Sequence, residues 1–579
     1  MGSSYSAIRN SYSTGSVSGG IAGVGGLVGT NYNTISASYS TGVVSGSYEV
    51  GGLGYNSGSV SNSYSTGSVS GNSQLGGLVG YNRGTVSNSH YDLDSTTLTV
   101  AGEVLHTVTY GGLYGAQFND WLTHGLSLNI ADYLSRDANE YYTLGSLQNL
   151  KDMLGFIDVA GIKFRLTADL DLAPLPGWHL PVFYAMEFNG DDHTLANLNI
   201  AQPSGNNTGF IDALPGGSTV QNLGLLNLNV SGGNSVGGLV GYNAGTVSNA
   251  YVSGSVSGSS YVGGLVGSNY GTLNNSYSTG LVSGSGWAIG GLAGANYGAV
   301  NNSYWDTETS GQVGSSGGSG LNSAQMRQLA SFAGWDISAN GGENTVWRIY
   351  EGQTAPLLRS FLTPLTLTAG DTKTYDGQTY TGGAYAVSAS TDPGHILGAA
   401  NFGGAAQGAI NAGDHVLTLS GLYSDQQRYD LIVNNGVLTI GQAPLTVTAR
   451  DAGKTYDGHA YSGGNGLSYA GFVNDETSAV LGGALSYGGN SQGAVNAGEY
   501  AITPGGLSSG NYRFEYRDGV LAIQAAVANG QPDGGSLERT VHAPTLSPPV
   551  LSGPSVSLVQ STQFEGLLKV ANDFIRLPE

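Results

Sequence analysis

The chain has 579 residues, enough for several domains or one long solenoid, with 97 glycines, 16 prolines and no cysteine. Only 10% of its residues are charged, and 39 acidic against 18 basic side chains leave a net charge of −21, without the clustered Lys and Arg that nucleic acid or an anionic membrane requires. The missing cysteine excludes disulfide frameworks and thiolate-held metals, the missing G-x-y period excludes collagen, and no apolar run is long enough for a membrane-spanning helix.

From the N-terminus, residues 1–91 read as a first array. Neither a basic n-region nor an apolar h-region precedes it, and SYSAIRNSYSTGSVSG is already repeat sequence. The expectation is a chain that begins inside an array, as a piece of something longer. Three similar phrases open on Gly-Gly-Leu at Gly25, Gly51 and Gly76, and three more in a second array at Gly237, Gly263 and Gly290. A period of this size is the mark of a solenoid in which one unit stacks on copies of itself. Each phrase holds three short β-prone pieces, such as GGLVG, GTVSNSY and TGSVSG, with no helical periodicity. The expected fold class is therefore all-β: a right-handed, three-sided parallel β-helix, followed by two tandem small β-domains and a flexible tail.

Within the repeats Leu27, Leu53, Leu78, Leu239, Leu265 and Leu292 hold one position and should form an interior ladder. Asn31, Asn56, Asn82, Asn243, Asn269 and Asn296 hold another, where each amide can bond the amides above and below. Tyr39, Tyr64, Tyr251, Tyr277 and Tyr304 hold a third, with His90 in the Tyr place of one repeat. Glycines are expected to supply positive φ and close backbone approach at the corners. The phrase at Gly51 is one residue short, a loss assigned to a corner.

Residues 92–165 read as an insertion, with Leu147, Leu150 and Leu154 at helical spacing in LGSLQNLKDMLG. Strands resume in residues 166–320, which carry the second array. Residues 321–362 should form a cap, with Asn322 and Ser323 starting a helix in AQMRQLASF and strands in GWDI and VWRIYEGQTAPLLR. Two units of a second kind follow at 363–441 and 442–524, each with Lys-Thr-Tyr-Asp-Gly near its start and GVLTI or GVLAI at its end. Residues 525–579, rich in Pro, Gly and Ser, read as a disordered tail.

The GGLVG-YN-GTVSNSYSTG phrase resembles the GLUG repeat, and the Lys-Thr-Tyr-Asp-Gly units resemble the YDG/MBG domains of bacterial surface proteins. Together they are similar to the distal part of a filamentous-haemagglutinin-like adhesin secreted by the two-partner route. The resemblance implies an extracellular or cell-surface stalk that presents binding faces to host-cell glycans or proteins, with an outer-membrane secretion partner for the parent chain. It carries no catalytic residue and no cofactor.

The rival reading is a polysaccharide-cleaving β-helix enzyme, which needs carboxylates converging from adjacent coils beside Lys or Arg. No Asp or Glu position stacks through the six phrases. Asp169 and Asp171 alternate with apolar residues, as on a solvated strand face; Asp191, Asp192 and His193 read as a turn. Asp92 and Asp94 are too few for a calcium site by themselves, and the nonapeptide calcium repeat is absent. The histidines show no zinc spacing, and no nucleophile elbow precedes a helix. Asp376 and Asp457 recur at matching places and read as turn residues capping their own backbone. No catalytic, cofactor-binding or metal-ligating residue is assigned, and the chain reads as a non-enzyme. Exposed Tyr and Ser suit glycan or protein contacts, although the Tyr ladder reads first as structural. The sequons at Asn206, Asn229, Asn274 and Asn301 are near what chance gives in so Ser- and Asn-rich a chain.

Overall fold

The computed structural model describes residues 2–527 apart from 97–98, 101–102, 105–110, 158, 192, 390–392 and 426–427. Almost all of the expected tail, and Asp192, lie outside the described residues. The chain divides into two compact units: one of Met1–Thr448 with Leu467–Ser486 and Pro504–Arg517, the other of Ala449–Gly466, Tyr487–Thr503 and Asp518–Glu579.

The first unit contains a parallel β-solenoid of about 11 turns. Its register is that of the repeats. Val50 pairs with Val24 and Leu75, Val60 with Ile35 and Val86, and Asn56 with Asn31 and Asn82, all in parallel. The coil has more corners than three. In the first array each turn is cut into five short strands, exemplified by Ala22–Gly25, Thr30–Asn31, Thr34–Ser36, Tyr39–Ser40 and Val44–Ser45, and these form five separate ladders. The Gly, Asn and Ser between β-prone pieces therefore make bends inside the pieces as well as between them. In the second array neighbouring segments merge into long bent strands, such as Thr219–Gly237.

Inward positions carry the predicted ladders. Leu53, Leu78, Leu239, Leu265 and Leu292 are fully buried, and Leu27 is partly so. A serine ladder runs beside them: the Oγ atoms of Ser38, Ser63 and Ser89 accept the amides of Ser11, Ser38 and Ser63 at 3.1 Å, closing backbone groups that the corner would leave open.

In the coils up to Asp306 positive φ falls mainly on residues other than glycine. Asn10, Asn62, Asn88, Asn249, Asn275 and Asn302 occupy one corner position with φ between 39° and 49°, and Ala37 takes the same conformation at 48°. Asparagine tolerates this region because its short amide bonds locally. The paired glycines serve close approach instead: a Cβ on Gly25 would lie 2.1 Å from the Val28 carbonyl oxygen. The residue missing from the phrase at Gly51 is absorbed within a strand, where Gly54 adopts φ 147° and the pairing to the next coil shifts register.

In the insertion, α1 (Gly115–Thr123), which the sequence reading missed, and α2 (Leu147–Met153), which it placed, are both present. Ser146 caps α2 by accepting the Asn149 amide, and Leu150 and Met153 are buried. AQMRQLASF is not an α-helix. Asn322 and Gln325 do cap each other reciprocally, but the segment splits into 3-10 turns Gln325–Arg327 and Leu329–Phe332 around an extended Gln328. That break lets Met326 and Phe332 enter the same aromatic cluster.

The first Tyr-Asp-Gly unit is a mixed sheet. Thr363–Thr374 runs parallel to Tyr429–Gly441 and antiparallel to Tyr385–Val387, and Gly413–Tyr423 runs antiparallel to both Tyr429–Gly441 and Leu397–Gly403. The second Tyr-Asp-Gly repeat contributes to both units. In the first, Ala443 to Thr448 runs parallel to Tyr512 to Arg517. In the second, Ala452–Thr455 runs parallel to Leu521–Gln524, whose strand pairs antiparallel with Gly498 to Ile502.

Candidate functional site

Charged side chains from neighbouring coils converge in the irregular coils before the second array. Lys163–Leu166 pairs in parallel with Glu187–Asn189, so Lys163 stands opposite Glu187 and Arg165 opposite Asn189. Phe164 and Phe188 point inward and are fully buried, which turns the alternating charged residues outward. Arg165 then bridges two carboxylates, with Nε 2.5 Å from Asp137 and Nη1 2.7 Å from Asp191. Glu187 lies 3.8 Å from Lys163 Nζ and accepts hydrogen bonds from the Tyr141 hydroxyl at 2.5 Å and Gln221 at 2.7 Å. Loss of solvent, then that carboxylate, push the Tyr141 phenol up to about 12.

This is the cross-coil cluster of acids and bases that an enzyme reading asks for, and the sequence reading found only Asp191 of it. The alternation of Lys163, Arg165 and Glu187 with buried aromatics was the available signal, but register alone brings them opposite one another. Each carboxylate is committed to a cation or a hydroxyl donor within the coil stack.

The other singled-out acids are turn and strand fixtures. Asp169 accepts the amide of Thr194 at 2.8 Å and faces His193 at 3.6 Å. Asp171 accepts from the Ala173 amide and Asn197, and those bonds hold its carboxyl below the usual range. Asp92 accepts the Asp94 amide, while Asp94 accepts the Gly115 amide at 2.8 Å and so tethers the start of α1. Among the described residues no group of three or more His, Asp or Glu side chains is placed to hold a metal. Asp376 and Asp457 each accept the amide two residues on and pair with Lys373 and Lys454 at 2.7 Å, the lysine bond being the main cause of a lowered carboxyl pKa. The sequon asparagines are rungs: Asn301 donates to Asn274 and Asn229 to Asn199, and Asn206 accepts from Asn234.

A buried pair escaped the sequence reading. His179 Nε2 lies 3.2 Å from Asp212 Oδ2, and its Nδ1 donates to the Gly177 carbonyl at 2.8 Å. Burial opposes the charge, but Asp212 outweighs it and raises the imidazole pKa. With His179 almost unexposed and Asp212 mostly covered, the pair acts as a staple between coils.

The tyrosine ladder points outward. Tyr12, Tyr39 and Tyr64 stack with centroids 5.2 and 4.7 Å apart, and Tyr251 and Tyr277 at 5.3 Å. Parts of this row are covered by following segments. Phe118 and Trp121 of α1 pack edge-on against Tyr64, and Trp121 against His90 at 4.8 Å. Residues 321–362 place Phe332, Trp335 and Trp347 against Tyr251, Tyr277 and Tyr304. A second outward row, Tyr242, Tyr270 and Tyr297, remains open to solvent, the last two 50% and 63% exposed.

The comparisons agree with the repeat assignments. A family model for the GLUG motif matches residues 232–257, and one for the MBG domain (YGX type) matches residues 445–522. Halomucin of Haloquadratum walsbyi is 29% identical over 131 residues, which is 20% of this chain and 1% of that protein. A crystal structure from Bacteroides ovatus, named for a putative immunoglobulin A1 protease, is 27% identical over 30% of this chain and 58% of its own, with a TM-score of 0.26. The chain thus spans a small fraction of the one relative and less than two thirds of the other.

Proposed function

We propose that the chain is part of a cell-surface adhesin or stalk of a bacterial cell, non-catalytic, that holds repeated polar and aromatic faces outward for attachment to glycans or proteins of another surface. The observation that carries the reading is the second tyrosine row, which repeats once per coil and is left uncovered where the equivalent first row is sealed. A contact repeated along a stack multiplies weak affinities by avidity. The GLUG and MBG matches and the halomucin stretch support a surface-displayed repeat protein, exported by an outer-membrane partner if the resemblance to two-partner adhesins extends to the parent chain.

The test is attachment. Purified protein should bind cells or immobilised glycans weakly in solution and far more strongly when clustered on beads. Failure of clustered protein to bind any surface would reduce the chain to a spacer.

A second reading has one observation in its favour, the Asp137–Arg165–Asp191 and Lys163–Glu187 cluster drawn from adjacent coils. Turnover of a polysaccharide that vanishes in Asp191→Asn would replace the adhesin reading by that of a glycan-cleaving enzyme.

A further inference from the structure

Between Asp212 and Asp306 the sequence contains no Asp, Glu, Lys, Arg or His. The three coils that begin at Thr219, Thr246 and Thr272 are therefore free of carboxylates, cations and imidazoles, in a protein whose net charge is −21. This stretch carries a concentration of exposed rings. Tyr242 and Tyr270 have centroids 5.1 Å apart and Tyr270 and Tyr297 4.7 Å apart, with interplanar angles of 31° and 25°. Beside them Tyr261 and Trp287 meet edge to face at 4.3 Å, and Trp287 is 63% exposed.

The fold explains why the two groups are neighbours. Tyr261 sits at a corner with φ 56°, and the buried Gly294 of the adjoining strand packs so closely that a Cβ there would lie 2.3 Å from the Tyr261 carbonyl carbon. The Tyr270 phenol lies above its ordinary value, through partial loss of solvent and then the nearby phenols of Tyr297, Tyr242 and Tyr261. A hydroxyl pair lies next to the row: Ser235 bonds Ser268 across coils, and Ser268 stands in register with Tyr242.

We infer that this aromatic edge, centred on Tyr270, Trp287 and Tyr297, is a binding site for a neutral polysaccharide. Sugar rings offer apolar C–H faces bordered by hydroxyls, which match exposed indole and phenol rings that carry hydroxyls of their own. Anionic glycans, phosphates and acidic peptides are disfavoured, because no cation stands in these coils to meet them. A protein hot spot would be expected in a fully desolvated pocket, whereas these rings stand on an open edge. The repetition once per coil suits a ligand that is itself a repeating polymer. The inference rests on the attachment reading above and gives it a site and a ligand class.

The full chain should be retained by at least one neutral polysaccharide among cellulose, starch and mannan, equally in low and high salt, and not by alginate or heparin. The double change Trp287→Ala with Tyr297→Ala should lower retention about tenfold, as removal of anchoring aromatics does, and leave the circular-dichroism spectrum unchanged. Tyr12→Ala, an exposed ring elsewhere, should leave retention as it is. Unaltered retention in the double variant, retention only by the anionic polymers, or no retention of wild type would each overturn the site. So would a wild type that self-associates through these rings, seen as a larger sedimenting species that the double variant loses while glycan retention is absent. Bead-clustered protein separates the two levels: if the double variant still attaches to cells like wild type, this site falls and the attachment reading stands, whereas if clustered wild type attaches to nothing, both fall.

Discussion

Asp430, at the head of a strand in the first Tyr-Asp-Gly unit, accepts a hydrogen bond of 3.0 Å from Nε of Arg348, in the segment that covers the solenoid's tyrosine row. Both side chains are almost fully buried, at 2% and 5% exposure. The second Asp430 oxygen takes Arg359 Nη1 at 2.5 Å and the Gly342 amide at 2.8 Å, so the carboxylate is saturated with donors. Arg348 also lies over the Tyr350 ring at 4.0 Å, and the Tyr350 hydroxyl donates to the Tyr429 carbonyl while accepting the Leu431 amide. The solenoid's covering segment and the first Tyr-Asp-Gly unit are thus joined by a desolvated, fully bonded polar network.

Removing the acid from that network should be costly. Asp430→Ala leaves two buried guanidinium groups without their anion, a loss of about 3–5 kcal/mol. Urea unfolding should show a markedly lower midpoint for the variant. An unchanged midpoint would mean that water reaches the arginines and the joint is looser than its geometry implies.

The asparagine ladder predicts a smaller loss. Asn269 accepts from Asn243 and donates to Asn296, both at 2.7 Å, and it is fully buried. Asn269→Ala strands a donor on one side and an acceptor on the other, which costs about 1–3 kcal/mol. Asn301→Ala, on an exposed rung with Asn274, should cost less. Equal thermal shifts in the two variants would contradict this ordering.

One substitution should stabilise. Ala37 holds the left-handed corner, φ 48°, that asparagine holds in the other repeats, and it is exposed. Ala37→Asn relieves a strain of about 1 kcal/mol. The melting temperature should rise, and a fall would place the strain elsewhere in the coil.

His90 gives the fold a pH dependence. Burial, partly offset by the bond to the Gly111 carbonyl, lowers its pKa from the ordinary 6.5 to about 4. Between those values the unfolded chain binds a proton that the folded chain refuses, so the contribution is favourable above pH 6.5 and is lost as pH falls toward 4, with a slope of about 1.4 kcal/mol per pH unit. In His90→Gln this part of the stability-against-pH slope should vanish even if the plateau is lower. Identical slopes for the two proteins would show that carboxylates alone set the acid limit.

The repeats were legible because a solenoid writes its contacts into the chain at one spacing. Leu265 over Leu239 and Asn269 over Asn243 follow from alignment of the phrases with themselves. The number of corners per coil was not legible, because a bend at Asn62 or Glu49 depends on left-handed φ values that asparagine and glutamate do not announce. The helix Gly115–Thr123 was missed for a related reason: its entry is tethered from a distance by Asp94, with no capping side chain at Tyr114.

The sequence by itself determined the parallel stack, its buried Leu and Asn ladders and the recurrence of the Tyr-Asp-Gly turn, since each depends on residues that repeat at a fixed interval. The tertiary structure alone decided which outward faces stay open. Tyr277 and Tyr297 are both tyrosines of consecutive phrases, yet one is sealed beneath Trp335 and Trp347 while the other is mostly in solvent. That difference is made by where residues 321–362 pack, and a covering contact between non-repeating and repeating sequence leaves no periodic trace. The charged cluster of Arg165, Asp137 and Asp191 has the same origin: its members come together through the register of irregular coils, which folding sets by burying Phe164 upon Phe188.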